Sequence, residues 1–467
     1  MTTQDTLFPL LESDSAALNK QGRKGKIDPA KIQIEDMILL CRYCSWNTVN
    51  PMRFSFLHAA DLHLGSPFTG LTLKDEAVAK RFASASRDAF SSLVTSAIDA
   101  KVAFVVIAGD VYDGEWKDAS IGLFFNREVA RLERSGIQLF FLKGNHDAES
   151  VVTKAISLPD SVHQFPTNKA KTFRIEDIKV ALHGRSFPDR AVTENYALAY
   201  PTPLPGYFNI GVLHTSCDGR PGHATYAPCT LQDLVSRNYQ YWALGHVHEY
   251  EEVSRDPWIV FPGNLQGRNV RERGPKGAVV VGVRDGHVTD VRRLIVDCAR
   301  WAEVSVALDG VDQETEMLRK IAEAIGPVVQ EAEGRLLALR VRLEGQTSLH
   351  RRLKADPQRV IDEVQAVAHR CHEDIWLERV RIETKEAAVS TAAHDYSEAS
   401  LDLNAILEGL EHDPNVHTKA VQIVASITDK LPAGIVSGDT PLPDDIDELL
   451  RDASALVLGR TMRQQEG

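Results

Sequence analysis

The stretch Phe54-Ser-Phe-Leu-His-Ala-Ala60-Asp61-Leu62-His63 joins two signals. A nearly continuous apolar run of strand length is consistent with a strand buried on both faces. It ends in an Asp and a His one residue apart, side chains that ligate metals or carry protons. Working outward, the same arrangement recurs. Val102 to Ala108 is followed by Gly109-Asp110, Ile137 to Leu142 by Gly144-Asn145-His146-Asp147, Phe208 to Leu213 by His214, and Tyr239 to Leu244 by Gly245-His246-Val247-His248. Val180 to Leu182 is a further short apolar run. Amphipathic helical patterns over Arg81 to Ala100 and Ser120 to Ser135 separate the first three runs, the second stopped by Gly136 as a left-handed cap. Alternating strand and helix signals predict a layered α/β domain. Ligands in such sheets bind at the carboxyl ends of strands, so these strand ends deliver metal-type side chains to one rim of a single sheet.

Asp61, His63, Asp110, Asn145, His214, His246 and His248 offer nitrogen and oxygen donors and no thiolate. This set suits Mn²⁺, Fe²⁺ or Zn²⁺ in a catalytic rather than a closed structural site. Residues i and i+2 of an extended segment share a face, so Asp61 with His63, and His246 with His248, can act in pairs. Seven donors exceed what one ion with an open position needs. Two ions about 3.5 to 4 Å apart, bridged by a carboxylate, would use them all. Asp110, closing what reads as a central strand, is the natural bridge. Such a pair can turn a bridging water into hydroxide near neutral pH and offset charge on a phosphoryl group, which is metal-assisted phosphoester hydrolysis. His146 is the candidate to protonate the leaving oxygen. Each motif alone is common in a structural role, and Asn145-His146-Asp147 on its own reads equally as a turn. Their ordered recurrence after apolar runs argues for the site.

The chain has 467 residues, 43% apolar and 25% charged, enough for two or three globular domains. No stretch has the apolar length of a membrane span, and the start lacks the pattern of a secretory signal, so a cytoplasmic location is expected. Six scattered cysteines do not form a disulfide framework, and Cys41-Arg-Tyr-Cys44 lacks a second pair to complete a zinc site. A net charge of −12 speaks against coating nucleic acid by charge alone. The charge is uneven: residues 395–467 hold 14 acidic and 5 basic side chains, leaving the rest of the chain close to neutral.

Residues 1–51 read as a weakly patterned extension, and Met52, directly before a strand signal, could be a later translation start. The catalytic layer runs over 52–298. From 299 to 385 the pattern becomes α+β, with strands over Trp301 to Leu308 and Leu336 to Leu343 and helices over Glu314 to Ala324 and Pro357 to Arg370, a smaller capping domain. Residues 386–467 form an acidic helical tail, with helices around Leu401 to Leu410 and Ile446 to Leu456 and a linker at Leu431 to Pro443. Packing on its own domain or partner docking would each suit the tail. A polymer substrate needs phosphate contacts beyond the metals, for which Arg268, Arg271, Arg273 and Lys276 are candidates, then Arg351, Arg352 and Lys354. An ordinary solvated charge face explains them equally well.

The ordered motifs from Asp61 to His248 resemble the calcineurin-like metallophosphoesterases, whose scheme D-x-H, G-D, G-N-H-D, H, G-H-x-H they match. Within that family the chain is similar to SbcD-type DNA repair exonuclease subunits of the YhaO-like branch, in Ala60 to Gly65, Gly109 to Asp113, Pro262 to Arg268 and Gly274 to Gly277. The resemblance implies a layered β-sandwich flanked by helices. It implies one metal held by Asp61, His63, Asp110 and His248, a second held by Asp110, Asn145, His214 and His246, and a catalytic His146. It further implies a preference for Mn²⁺, processing of DNA ends, a homodimer and an SbcC-like coiled-coil ATPase partner. Asp113 stands where archaeal and eukaryotic relatives carry a histidine. The main expectation is a DNA exonuclease or endonuclease subunit. The alternatives are a phosphodiesterase or phosphatase for nucleotides and other small phosphoesters, and an inactive scaffold for the ATPase.

Overall fold

The computed structural model describes residues 52–66, 76–113, 119–149, 158–218, 226–387, 398–428 and most of 446–457. The chain divides into Met1–Met52 and Arg53–Gly467, and the account below concerns the second unit. The N-terminal extension with Cys41 and Cys44, and the linker Leu431 to Pro443, lie outside the described residues.

The catalytic layer is built from β1 (Arg53–Ala59), α1 (Glu76–Asp99), β2 (Phe104–Ile107), α2 (Ala119–Arg134), β3 (Gln138–Phe141), β4 (Val162–Gln164), β5 (Lys171–Ile175), β6 (Val180–Gly184), β7 (Phe208–His214), α3 (Leu231–Val235), β8 (Tyr241–Gly245), β9 (Tyr250–Arg255), β10 (Trp258–Pro262), β11 (Gly277–Arg284) and β12 (His287–Ile295). These strands form two sheets, ordered β12-β11-β1-β2-β3-β4 and β5-β6-β7-β8-β10-β9. The single-sheet reading is therefore corrected, and the sandwich is the architecture. The six apolar runs all become strands, but the first three lie in one sheet and the last three in the other. The difference follows from the connections. Helices α1 and α2 link β1, β2 and β3 as parallel neighbours, whereas the segments flanking β7 carry no long helix among the described residues.

The central strands β2, β6, β7 and β8 are buried on both faces. On α1, Phe82, Ala85, Ala89, Phe90, Leu93 and Ala97 recur at helical spacing, and those from Ala89 onward pack with Phe125 and Val129 of α2 against Leu57, Val105 and Ile107. The opposite face is aromatic: Phe56 stacks on Phe104 at 5.0 Å and meets Tyr241 of the second sheet edge-on at 5.2 Å. His58 is buried in this seam, with Nδ1 3.0 Å from the Tyr241 hydroxyl and Nε2 3.1 Å from the Leu244 carbonyl. Burial lowers its pKa to about 3, offset in part by the Leu244 bond. The folded state thus takes up this proton less readily than the unfolded chain. Its stabilising contribution is present above pH 6.5 and is lost as pH falls toward 3, by about 1.4 kcal/mol per pH unit. Urea midpoints at pH 7 and pH 5 should fall less in His58→Leu than in the parent, and equal falls would refute this role.

A third sheet, β13 (Ala299–Ala307), β14 (Leu336–Thr347) and β15 (Ile375–Glu386), is all parallel and carries α4 (Glu314–Ala332), α5 (His350–Ala355) and α6 (Pro357–Cys371). Met317, Ile321, Ile325, Val360, Val364 and Val367 fill its core against Leu339, Val341 and Leu343. β15 was not among the expected strands. Two of its acids pair with β14, Glu378 with Arg340 at 2.6 Å and Glu383 with Arg342 at 2.6 Å. The tail holds α7 (Glu398–Glu411) and α8 (Pro414–Thr428), the latter also unexpected, and the described part of 446–457 is helical. Among the described residues no helix is long and apolar enough to cross a membrane.

Candidate dinuclear metal centre

The site lies where the two sheets meet at their strand ends. Asp61, His63 and Asp110 leave the first sheet, and His214, His246 and His248 leave the second. The chain turns sharply at these positions: Asp61 (φ 52°), His63 (φ 43°), Asp110 (φ 52°) and His246 (φ 99°) all occupy the left-handed half of backbone space. Backbone bonds fix the turns, Asp61 N–H donating to Gly109 O at 3.0 Å and His63 N–H to Asp110 O at 3.0 Å. The Asp61 carboxylate ties one sheet to the other by accepting the His246 N–H at 2.9 Å. Gly109 and Gly144 pack so closely that a Cβ on the first would strike His214 and on the second Asp110.

The structure gathers Asp61, His63, Asp110, His214 and His248 into one cluster, with Asn145 and the His246 ring beside His214. Asp61, His63 and His248 form one group with ligand atoms mutually within 4.8 Å, and Asp61, Asp110 and His214 form another. Asp110 Oδ2 lies 3.4 Å from His214 Nε2 and 4.0 Å from His63 Nε2, between the two halves. Asn145 Oδ1 is 2.9 Å from His214 Nε2, and the His246 ring lies 5.2 Å from the His214 ring.

Divalent cations fit these residues. His214 Nδ1 faces the Ala108 carbonyl at 2.9 Å and must carry its hydrogen there, so in the neutral ring the Nε2 lone pair points at two oxygen acceptors. His248 Nδ1 likewise faces Glu272 at 2.8 Å, while its Nε2 meets His63 Nε2 at 3.3 Å. Lone pairs converging at these distances favour positive charge between them, a proton or a cation. Part of that charge is supplied by a proton: burial opposes ionisation of His214, yet Asp110 and Asp61 outweigh it and hold its pKa near 9. Asp110 responds in the other direction, with burial overcome by His214 and His146 so that its carboxyl stays ionised below the usual range. Burial raises Asp61 to about 6 and drives His63 well below its ordinary value, the latter aided by Arg268.

His146 sits beside this cluster, its ring 4.9 Å from that of His63. Its backbone N–H donates to Asp110 Oδ1 at 2.9 Å, and its Nδ1 is 2.6 Å from Asp113 Oδ1. Burial disfavours its charge, but the Asp113 bond and the nearby Asp110 outweigh that and raise its pKa. Asp113, noted in the sequence only as a departure, is thus the orienting partner of His146.

Two further acids were not singled out by sequence reasoning. Asp147, buried, accepts the N–H groups of Val111 (3.0 Å), Tyr112 (2.8 Å) and Gly144 (3.2 Å), which joins two ligand loops. Glu272 accepts from His248 and Arg268. His248 lies 24 residues from Glu272 and Val111 36 residues from Asp147, so these contacts cannot be read locally, whereas the Gly144 and Arg268 contacts are local.

The basic candidates separate. Arg268 lies in the wall of the site, Arg271 is exposed, and Arg273 is exposed and paired with Glu303 at 3.0 Å. Lys276 is corrected: its ammonium is buried and donates to His248 O at 2.9 Å and Glu249 Oε1 at 2.7 Å, holding the ligand strand rather than facing a substrate. Arg351 and Arg352 pair with Glu386 and Glu314 within the third sheet's layer.

A helix-flanked β-sandwich with such a cluster at its strand ends defines a metallophosphoesterase. Residues 54–250 match the model for calcineurin-like phosphoesterases, and residues 301–385 match the middle domain of the metallophosphoesterase YhaO. The chain is 30% identical over 374 residues to the uncharacterized metallophosphoesterase YhaO of Bacillus subtilis, which spans 77% of this chain and 90% of that one. It therefore belongs to the calcineurin-like metallophosphoesterase family, with YhaO as a relative along most of its length. More distant similarity joins it to proteins described as DNA double-strand break repair protein Mre11. That of Methanopyrus kandleri is 24% identical over 82% of this chain and 86% of its own, and that of Sulfurisphaera tokodaii 22% identical over 56% and 68%.

Proposed function

We propose that the chain is a metal-dependent nuclease of SbcD type that hydrolyses DNA phosphodiester bonds. The observation that carries hydrolysis is the convergence of ring nitrogens and carboxylates from both sheets at one point, beside a His146 bonded to Asp113. Asp61, His63, Asp110 and His248 would hold one divalent cation, and Asp110, Asn145, His214 and His246 a second, with Mn²⁺ suited to the mixed nitrogen and oxygen set. Such a pair supplies charge neutralisation at the phosphoryl oxygens and acidifies water. With Nδ1 committed to Asp113, His146 keeps Nε2 for the leaving oxygen as the phosphorus–oxygen bond breaks.

The DNA substrate is supported by the similarity to the Mre11 repair proteins and by Arg271 and Arg273, exposed on the loop between β10 and β11. The same reading includes a homodimer and an SbcC-like ATPase partner. Ile406, Ile423 and Ile427 expose apolar surface on α7 and α8, suited to a partner's helix. Purified protein with Mn²⁺ should cleave linear duplex DNA, alone or with the ATPase, as well as bis-p-nitrophenyl phosphate. Cleavage of the small ester with DNA untouched even when the ATPase is present would establish the alternative, an enzyme for small phosphoesters.

A further inference from the structure

Arg268 is placed unlike a surface phosphate contact. Its side chain is only 16% exposed, and its guanidinium reaches both acids that orient the site's histidines. One terminal nitrogen donates to Glu272 Oε1 at 2.9 Å and lies 3.4 Å from His248 Nδ1, while the other is 3.5 Å from Asp113 Oδ2. The backbone N–H of Arg268 donates to the second oxygen of Glu272 at 2.8 Å. Glu272 in turn holds His248 at 2.8 Å, and Asp113 holds His146 at 2.6 Å. Only a planar fork with several donors spans two carboxylates in this way, and a lysine would reach one of them.

The segment before Arg268 is itself fixed. Gln266 Oε1 accepts the N–H groups of Cys298 (2.8 Å) and Ala299 (3.1 Å), and the Trp301 indole donates to Gly267 O at 3.0 Å. Trp301, fully buried on β13, packs with Phe82 and Val270. Thus the first strand of the third sheet bears directly on the loop that carries the fork.

We propose that Arg268 is a positioning residue that joins the ligand imidazole of His248 and the imidazole of His146 into one frame, braced from β13 by Trp301. The inference deepens the hydrolase reading and rests on its site. Arg268 acts through Glu272 and Asp113, so its loss should disturb chemistry and metal affinity rather than substrate capture.

The test compares the parent, Arg268→Lys, Arg268→Met and Trp301→Phe as full chains. It measures thermal midpoint, Mn²⁺ titration by calorimetry, and kcat and KM on bis-p-nitrophenyl phosphate. In both Arg268 variants Mn²⁺ should bind about tenfold more weakly at one site, the size of loss typical when a ligand's partner is removed. Turnover should fall by at least about tenfold with KM within about threefold of the parent, the signature of an interaction absent from substrate binding. Trp301→Phe keeps an aromatic ring but removes the indole N–H and the volume of the fused ring, and should shift kcat and Mn²⁺ affinity in the same direction by less. A raised KM with parental kcat and Mn²⁺ affinity would overturn the proposal by making Arg268 a substrate contact. A Trp301→Phe protein with parental values throughout would overturn the brace. Should the parent hydrolyse no ester, the hydrolase reading fails, while the Mn²⁺ titration still decides the frame: tenfold weakening supports it and unchanged affinity refutes it. A variant with a collapsed thermal midpoint is replaced by Glu272→Gln, which weakens the contacts with His248 and Arg268 together, leaves Asp113 in place, and should show the same loss of Mn²⁺ affinity.

Discussion

His146→Ala is expected to lower kcat on a phosphodiester by about 10²- to 10⁴-fold, the range for losing a positioned acid or base, while Mn²⁺ content stays near that of the parent. The ring is 30% exposed at the edge of the cluster, and the residue's backbone N–H, not its side chain, supports Asp110. Removing the imidazole therefore leaves the Asp110 contact in place. It also leaves Asp113 bound only by its remaining partners, so the pH profile of residual activity should flatten. Metal analysis of the purified variant checks the separation of roles. Loss of metal along with activity would make His146 a ligand, a reading that its grouping with His63 and Asp110 keeps open to experiment.

Asp110→Asn should act on the metals themselves. The carboxylate stands between His214 and His63, with Oδ2 facing both rings and Oδ1 accepting the His146 backbone N–H. The amide keeps the shape but removes the shared negative charge and turns N–H donors toward lone pairs. Both Mn²⁺ sites should weaken by more than about 10²-fold, beyond the loss seen for residues that only support a ligand. Calorimetric titration would show whether one site survives at parental affinity, in which case Asp110 does not bridge.

Much of this site was legible because strand signals are local. Asp61, His63, Asp110, Asn145, His214, His246 and His248 each follow an apolar run, and a run needs no knowledge of its neighbours to be recognised. Which sheet a run joins is a different matter. Phe56 and Tyr241 touch across the seam, yet nothing near either residue states that they belong to opposing sheets. Period-two alternation was masked as well, since helices cover one face and the facing sheet covers the other. β15 was missed because its charges imitate a solvated segment, when Glu378 is in fact buried against Arg340. The orienting acids Asp113, Asp147 and Glu272 were hidden for a third reason: their importance lies in partners brought near by folding.

The left-handed turns at Asp61, His63, Asp110 and His246 carry a cost of their own relative to glycine, on the order of 1 kcal/mol apiece. Glycine at any of them would relax the main chain and delete a donor in the same stroke. Selection for robustness alone would therefore erode this enzyme's chemistry, and a heat-hardened descendant that had accepted such changes would be sturdy and inert. Any programme to toughen the protein should hold these four positions fixed and seek its gains elsewhere.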